Sequence, residues 1–164
     1  MATPETLSSR LGEILAGTEK PEFAPVQVGT RKVTKPHPDD PTDTIQEKEP
    51  ILELFRVMSD ASDMDALIKK IAKFVEQTTE DFDKGLHKKT ALGAVYPKSA
   101  NVLGQAFMLA CLVKDKDLTV EFWLEVAKRS GPIFTSIVMQ VDALNLPETN
   151  SKIFFEAEKD SATN

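Results

Sequence analysis

The chain has few side chains that could do chemistry, and they are widely separated: two histidines and one cysteine in 164 residues. His37 lies between two prolines, close to Asp39 and Asp40. An imidazole beside two carboxylates is a set that a metal ion can use. A metal site needs pre-formed geometry, however, and so proline-rich a stretch is more typical of a solvated linker. We therefore predict no metal site.

The candidate nucleophile is Cys111, which is flanked by Ala110 and Leu112 in an apolar run. A thiol in such surroundings is more often inert than reactive. The sequence contains no Gly-x-Ser-x-Gly elbow, no phosphate loop and no Gly-x-Gly-x-x-Gly fingerprint. Adjacent carboxylates such as Glu80 and Asp81 lie in polar surroundings, where nothing indicates a shifted pKa. These observations predict no catalytic residues, no cofactor and a protein that is not an enzyme.

A basic segment surrounds the second histidine, His87, with Lys84, Lys88 and Lys89 close to it. Such a segment can bind phosphate, RNA or an acidic protein, but cations also stabilise the carboxyl end of a helix. The net charge of −6 and the pI near 5 argue against a protein that coats duplex DNA or an anionic membrane. A nucleoprotein that binds RNA through residues 84–98 is therefore an alternative, and nucleic acid is not the partner we expect.

Length and cysteine usage favour a cytoplasmic protein of one domain plus a tail. A single cysteine allows no intramolecular disulfide. Residues 1–9 have neither the basic nor the apolar region of a secretory signal. The longest apolar stretch, residues 106–113, is too short to span a bilayer.

Residues 1–49 are predicted to form an N-terminal arm. A hydroxyl residue followed by proline at Thr3 and Pro4 is typical of a helix start. Leu7, Leu11 and Ile14 follow at helical spacing, which predicts a short amphipathic helix with a narrow apolar stripe. Such a helix is marginal alone and needs a surface to dock on.

The rest of the arm is rich in proline, since six of the ten prolines lie between Pro21 and Pro50. Proline lacks a backbone N–H and biases the preceding residue towards extended geometry. We therefore interpret this stretch as a disordered, flexible linker, with at most a short extended segment or hairpin around Gly29.

Residues 50–158 carry the helical signal, and the polar tail at residues 159–164 is predicted to be disordered. Gly85 is predicted to end one helix, and the hydroxyls of Ser99 and Thr119 to cap two others. Residues 102–113 leave almost no polar face, which predicts a central helix. The predicted fold class is mainly α: a small bundle of about five helices with a flexible, proline-rich N-terminal arm.

Apolar side chains on helix faces are the best candidates for function, because partner helices bind to such faces. Phe154 and Phe155 are adjacent and cannot both point to one interior, so one of them is a candidate contact. The residues that we predict to bind a partner are Leu7, Leu11, Ile14, Phe134, Ile137, Phe154 and Phe155.

Several short segments follow one another along the chain in an order that is typical of one protein family. Residues 108–115 read Met-Leu-Ala-Cys-Leu-Val-Lys-Asp, and residues 118–122 read Leu-Thr-Val-Glu-Phe. Residues 155–161 read Phe-Glu-Ala-Glu-Lys-Asp-Ser, and residues 11–16 read Leu-Gly-Glu-Ile-Leu-Ala. This order resembles the small tail assembly chaperones of long-tailed, siphovirus-type bacteriophages. The resemblance covers about the last 60 residues and a few at the start.

The resemblance implies a protein of the host cell cytoplasm that binds the long, helical tape measure protein. Such chaperones keep the client from aggregating, help to recruit tail tube protein, and leave before the tail is complete. A homo-oligomer is compatible with this role, and no membrane is involved. The alternative is a viral structural protein, a capsid or connector subunit, whose extended N-terminal arm threads onto neighbouring subunits.

Overall fold

A computed structural model of the chain describes residues 3–16 and 21–145. Within these residues the fold is α+β, with five helices and one two-stranded antiparallel sheet. The elements in chain order are α1 (Pro4–Leu15), β1 (Phe23–Pro36), β2 (Thr44–Arg56), α2 (Ala61–Asp83), α3 (Ala100–Leu112), α4 (Val120–Arg129) and α5 (Gly131–Asn145).

The predicted fold class, mainly α, is therefore wrong, because the expected linker is a long β-hairpin. Strands β1 and β2 pair from Phe23 with Arg56 to Pro36 with Thr44. A bulge at residue 28 interrupts the register between Gln27 and Gly29. Strand β2 also crosses residue 50, where the sequence placed the start of the helical domain. The apolar residues there alternate between the two faces of a strand instead of sharing one face of a helix.

The prolines of the hairpin are tolerated because of their register. Antiparallel pairs alternate between hydrogen-bonded and non-hydrogen-bonded. His37 N–H donates to Asp43 O at 3.0 Å, and Val57 N–H donates to Glu22 O at 2.8 Å. Counting from these two bonded pairs places Pro25, Pro36 and Pro50 in non-bonded pairs. At such positions a residue's N–H points away from the partner strand, so proline removes no ladder bond.

The core lies around α3, as its apolar sequence predicted. Its Leu103, Ala106 and Leu109 are fully buried. Helices α2, α4 and α5 pack on it, and β2 also contacts it. The aromatic ring of Phe55 in β2 lies 5.9 Å from the Trp123 ring of α4. The base of the hairpin therefore belongs to the same core as the helices.

The helix ends confirm three predictions from the sequence. The Ser99 hydroxyl accepts the Val102 N–H, and the Thr119 hydroxyl accepts the Phe122 N–H. Gly85 follows α2 with a φ of 76°, and its N–H donates to Phe82 O at 2.9 Å. Glycine adopts this left-handed conformation without steric cost, and thereby ends the helix.

Both edges of the hairpin base are attached to the helical part. On the β2 edge, the Lys114 N–H donates to Leu54 O at 2.8 Å. On the β1 edge, the Gln140 side-chain amide bonds both backbone groups of Gln27. Its Oε1 accepts the Gln27 N–H at 3.1 Å, and its Nε2 donates to Gln27 O at 2.9 Å. Beyond this point, the side chains of residues 30–36 and 44–50 are exposed or half-buried.

Candidate partner-binding surfaces

Helix α1 presents an uncovered apolar stripe. Thr3 caps it and Pro4 occupies its first turn, as expected from the sequence. Leu7, Leu11 and Ile14 lie on one face and are 54%, 55% and 74% exposed. No residue of the helix is buried. These three predicted partner-binding side chains are therefore accessible together on one surface.

The other predicted partner-binding residues are placed differently. Phe134 and Ile137 of α5 are 3% and 1% exposed, and they belong to the hydrophobic core. A partner would therefore reach them only by opening the core. Phe154 and Phe155 lie outside the described residues.

The opposite face of α5 forms a shallow groove with the free edge of β1, which we call the α5 groove. On the strand side it is lined by residues 27–30, and on the helix side by Pro132, Ile133, Ser136 and Gln140. Its volume is about 500 Å³. It adjoins a depression of about 660 Å³ further along α5, which includes Met139 and Ala143. Ile133 is 46% exposed and Met139 is 66% exposed, so the surface is apolar and open.

The basic segment predicted at residues 84–98 is held to the helices by a network of hydrogen bonds. The Tyr96 hydroxyl donates to Glu121 Oε1 at 2.6 Å, and the Thr90 hydroxyl donates to Glu125 Oε2 at 2.5 Å. Arg129 Nε donates to the other oxygen of Glu125 at 3.0 Å. Burial, followed by the bond to Glu121, raises the pKa of Tyr96. The bond from Thr90, followed by that from Arg129, lowers the pKa of Glu125.

One lysine of the segment also has an acidic partner. Lys88, one of the lysines considered for RNA binding, pairs with Asp81 at 3.4 Å. The segment also exposes the apolar side chains of Leu86, Leu92 and Val95. An exposed surface that mixes lysines with aliphatic side chains suits a protein partner better than stacked bases, which need aromatic platforms.

The outer part of the hairpin carries ion pairs across its strands. Lys35 Nζ lies 2.9 Å from Glu49 and 3.2 Å from Glu47, and Arg31 lies 4.0 Å from Glu49. The hydrogen bond between Lys35 and Glu49 lowers the pKa of Glu49 and raises the pKa of Lys35. Exposed pairs of this kind contribute little stability, but charged side chains on an edge strand oppose aggregation.

Among the described residues, no group of three histidine, cysteine or acidic side chains could hold a metal ion. The His37 Nδ1 accepts the Asp39 N–H at 3.1 Å, so that nitrogen is engaged locally. Cys111 is half-buried, and burial raises the pKa of its thiol. No described helix is long and apolar enough to cross a membrane.

Comparison with known proteins gives no relative: no family model, no curated protein and no solved structure matches the chain.

Sequence reasoning missed the α5 groove and the outer hairpin. One signal was present for the hairpin, because the three apolar residues Ala24, Val26 and Val28 alternate with polar or proline positions before Gly29. No local signal marked the groove, since it forms between residues that are more than 100 positions apart in the chain.

Proposed function

We propose that the chain is a binding protein and not an enzyme, and that it works as a phage tail assembly chaperone in the host cytoplasm. In this role it binds the tape measure protein and promotes assembly of the tail tube. The observation that carries the proposal is the uncovered stripe of Leu7, Leu11 and Ile14 on α1. The resemblance of the sequence to such chaperones supplies the identity of the client.

The geometry of α1 supports binding to a helical client. Residues at spacings of four and three lie on one side of a helix, which is the pattern that docks into a groove between helices or against an apolar helix face. The stripe from Leu7 to Ile14 spans eight residues, or about 10 Å along the helix axis. A helix of 12 residues is marginal in water, so docking on a client would also stabilise the helix itself.

Co-expression with the tape measure protein tests the proposal. We expect the wild-type chain to increase the soluble fraction of the client, and the variant Leu7→Ser/Leu11→Ser/Ile14→Ser to lose this effect. The matched control is Ser9→Ala/Glu13→Ala, which changes the opposite side of the same helix and should leave it intact. Thermal unfolding of the three chains should be alike, because none of the changed residues is buried. Equal client solubility with and without the chain would contradict the proposal.

The viral structural protein remains a second candidate because of the hairpin. Strands of 14 and 13 residues extend beyond the core, and an arm of this kind suits threading onto a neighbouring subunit. The two candidates differ in where the protein ends up. A structural subunit stays in purified mature particles, whereas a chaperone is absent from them, and mass spectrometry of the particles distinguishes the two.

A further inference from the structure

The α5 groove combines an apolar floor with an open strand edge. At Gln27 this edge is already occupied, because the Gln140 amide bonds both backbone groups as a neighbouring strand would. Thr30 forms a non-hydrogen-bonded pair with Pro50. Its N–H and C=O therefore point away from β2, towards the same edge as those of Gln27. Ile133 lies exposed on the helix side of the groove, and Met139 lies exposed in the adjoining depression. An open edge beside an apolar floor suits a short extended apolar segment, since the backbone pairs while the side chains are buried.

Residues 146–164 of the same chain are within reach of this groove. They continue from Asn145, the last residue of α5. Ser136, in the middle of the groove, lies nine residues before Asn145, or about 14 Å along the helix axis. Residues 153–155 lie eight to ten positions after Asn145, and an extended chain of that length spans about 26–33 Å. The segment is therefore long enough to reach the groove.

The sequence of this segment also suits the groove. Residues 153–155 read Ile-Phe-Phe, which are strongly apolar and favour extended structure. Residues 156–160 contain three acidic residues and one lysine. Strand β1 contributes Arg31, Lys32 and Lys35, and contains no acidic residue. Arg31 and Lys35 already pair with glutamates of β2, so the attraction to the acidic residues of this segment comes mainly from Lys32.

We propose that residues 153–155 dock in the α5 groove of their own chain and cover Ile133 and Met139. The inference does not rest on the proposed chaperone role, which depends on the stripe of α1.

Methyl and amide NMR of the full-length protein tests this docking. The variant Phe154→Ser/Phe155→Ser should shift the methyl signals of Ile133 and Met139, and leave that of Ile68, exposed on α2, unchanged. Hydrogen exchange at the Thr30 amide should become faster by roughly tenfold or more. The matched control Ser151→Ala/Ser161→Ala changes the same segment outside the triplet, and should reproduce the wild-type signals.

Two outcomes would overturn the docking. Unchanged Ile133, Met139 and Thr30 signals in the phenylalanine variant would show that the triplet does not cover the groove. Signals that vary with protein concentration would show that a second copy, and not the same chain, is the occupant. A thermal unfolding curve of each variant establishes that the core, reported by Trp123, is intact, so that the loss of docking is not confused with unfolding. The client-solubility assay with the α1 variant is independent of all these readouts.

Discussion

Helices α1 and α3 show how differently two apolar helices of one chain can be used. Five residues of α3 are buried, because α2, α4, α5 and the hairpin base surround it. No residue of α1 is buried, although its leucines follow a regular helical spacing. An apolar pattern therefore predicts that a face needs cover, but it does not say whether the cover comes from the same chain or from a partner.

The hairpin shows the same contrast within one element. At its base, Phe55 and Val26 are almost fully buried and belong to the core. Leu52 lies on the opposite face of β2 from Phe55 and is 54% exposed. Three variants with matched controls test this division between a closed helical part and an open N-terminal part.

The largest expected effect is on the junction between the two parts. Phe55→Ala removes a fully buried ring that contacts Trp123, and should lower the free energy of unfolding by about 3–5 kcal/mol. The matched control Leu52→Ala, on the exposed face of the same strand, should change it by less than about 1 kcal/mol. Urea unfolding measures both. Equal losses for the two variants would mean that the hairpin base does not share the helical core.

A smaller effect is expected where α5 holds the edge of β1. Gln140→Ala removes both hydrogen bonds to the backbone of Gln27, and should lower the free energy of unfolding by about 1–2 kcal/mol. Hydrogen exchange at the Gln27 amide should become faster, because that amide loses its acceptor. The control Gln46→Ala, on the exposed outer hairpin, should leave both quantities unchanged. If Gln140→Ala behaves like this control, the edge is held by other contacts.

The smallest effect at neutral pH is expected at Glu125. Its pKa is lowered in the folded protein, so its contribution to stability is present above the ordinary value of 4.5. That contribution is lost as the pH falls from there through the lowered pKa. Glu125→Gln keeps an acceptor for Thr90 but loses the charge, so it should be slightly less stable than the wild type at pH 7 and show a weaker fall in stability between pH 5 and 3.

Thermal unfolding across that pH range measures the difference. The control Glu76→Gln, at an exposed position of α2, should retain the wild-type pH dependence. An unchanged slope for Glu125→Gln would show that the bonds from Thr90 and Arg129 do not favour the carboxylate.

Much of the helical part could be predicted because its signals are local. The hydroxyl caps at Ser99 and Thr119 and the glycine after α2 act within one helical turn, so a short window of sequence contains them. The apolar run of α3 identified the central helix for the same reason. The predicted fold class is nevertheless wrong, because a high proline content excludes helices but does not exclude strands.

Whether a proline breaks a strand depends on its register. Pro25, Pro36 and Pro50 fall in non-bonded pairs, and this is a property of the pairing between β1 and β2. No single strand contains that information, because it is set by the alignment of residues that are far apart in the chain.

Backbone hydrogen bonding and side-chain periodicity act over a few residues, so local sequence predicts helices α1 to α5, the caps at Ser99 and Thr119 and the apolar stripe of α1. Which face of α5 is exposed to solvent follows only from the packing of the other elements on this helix. Phe134 and Ile137 face the core, whereas Ile133 and Met139 remain exposed. That choice depends on where α3, α4 and the hairpin pack, because burial is a property of the assembled elements and not of one helix.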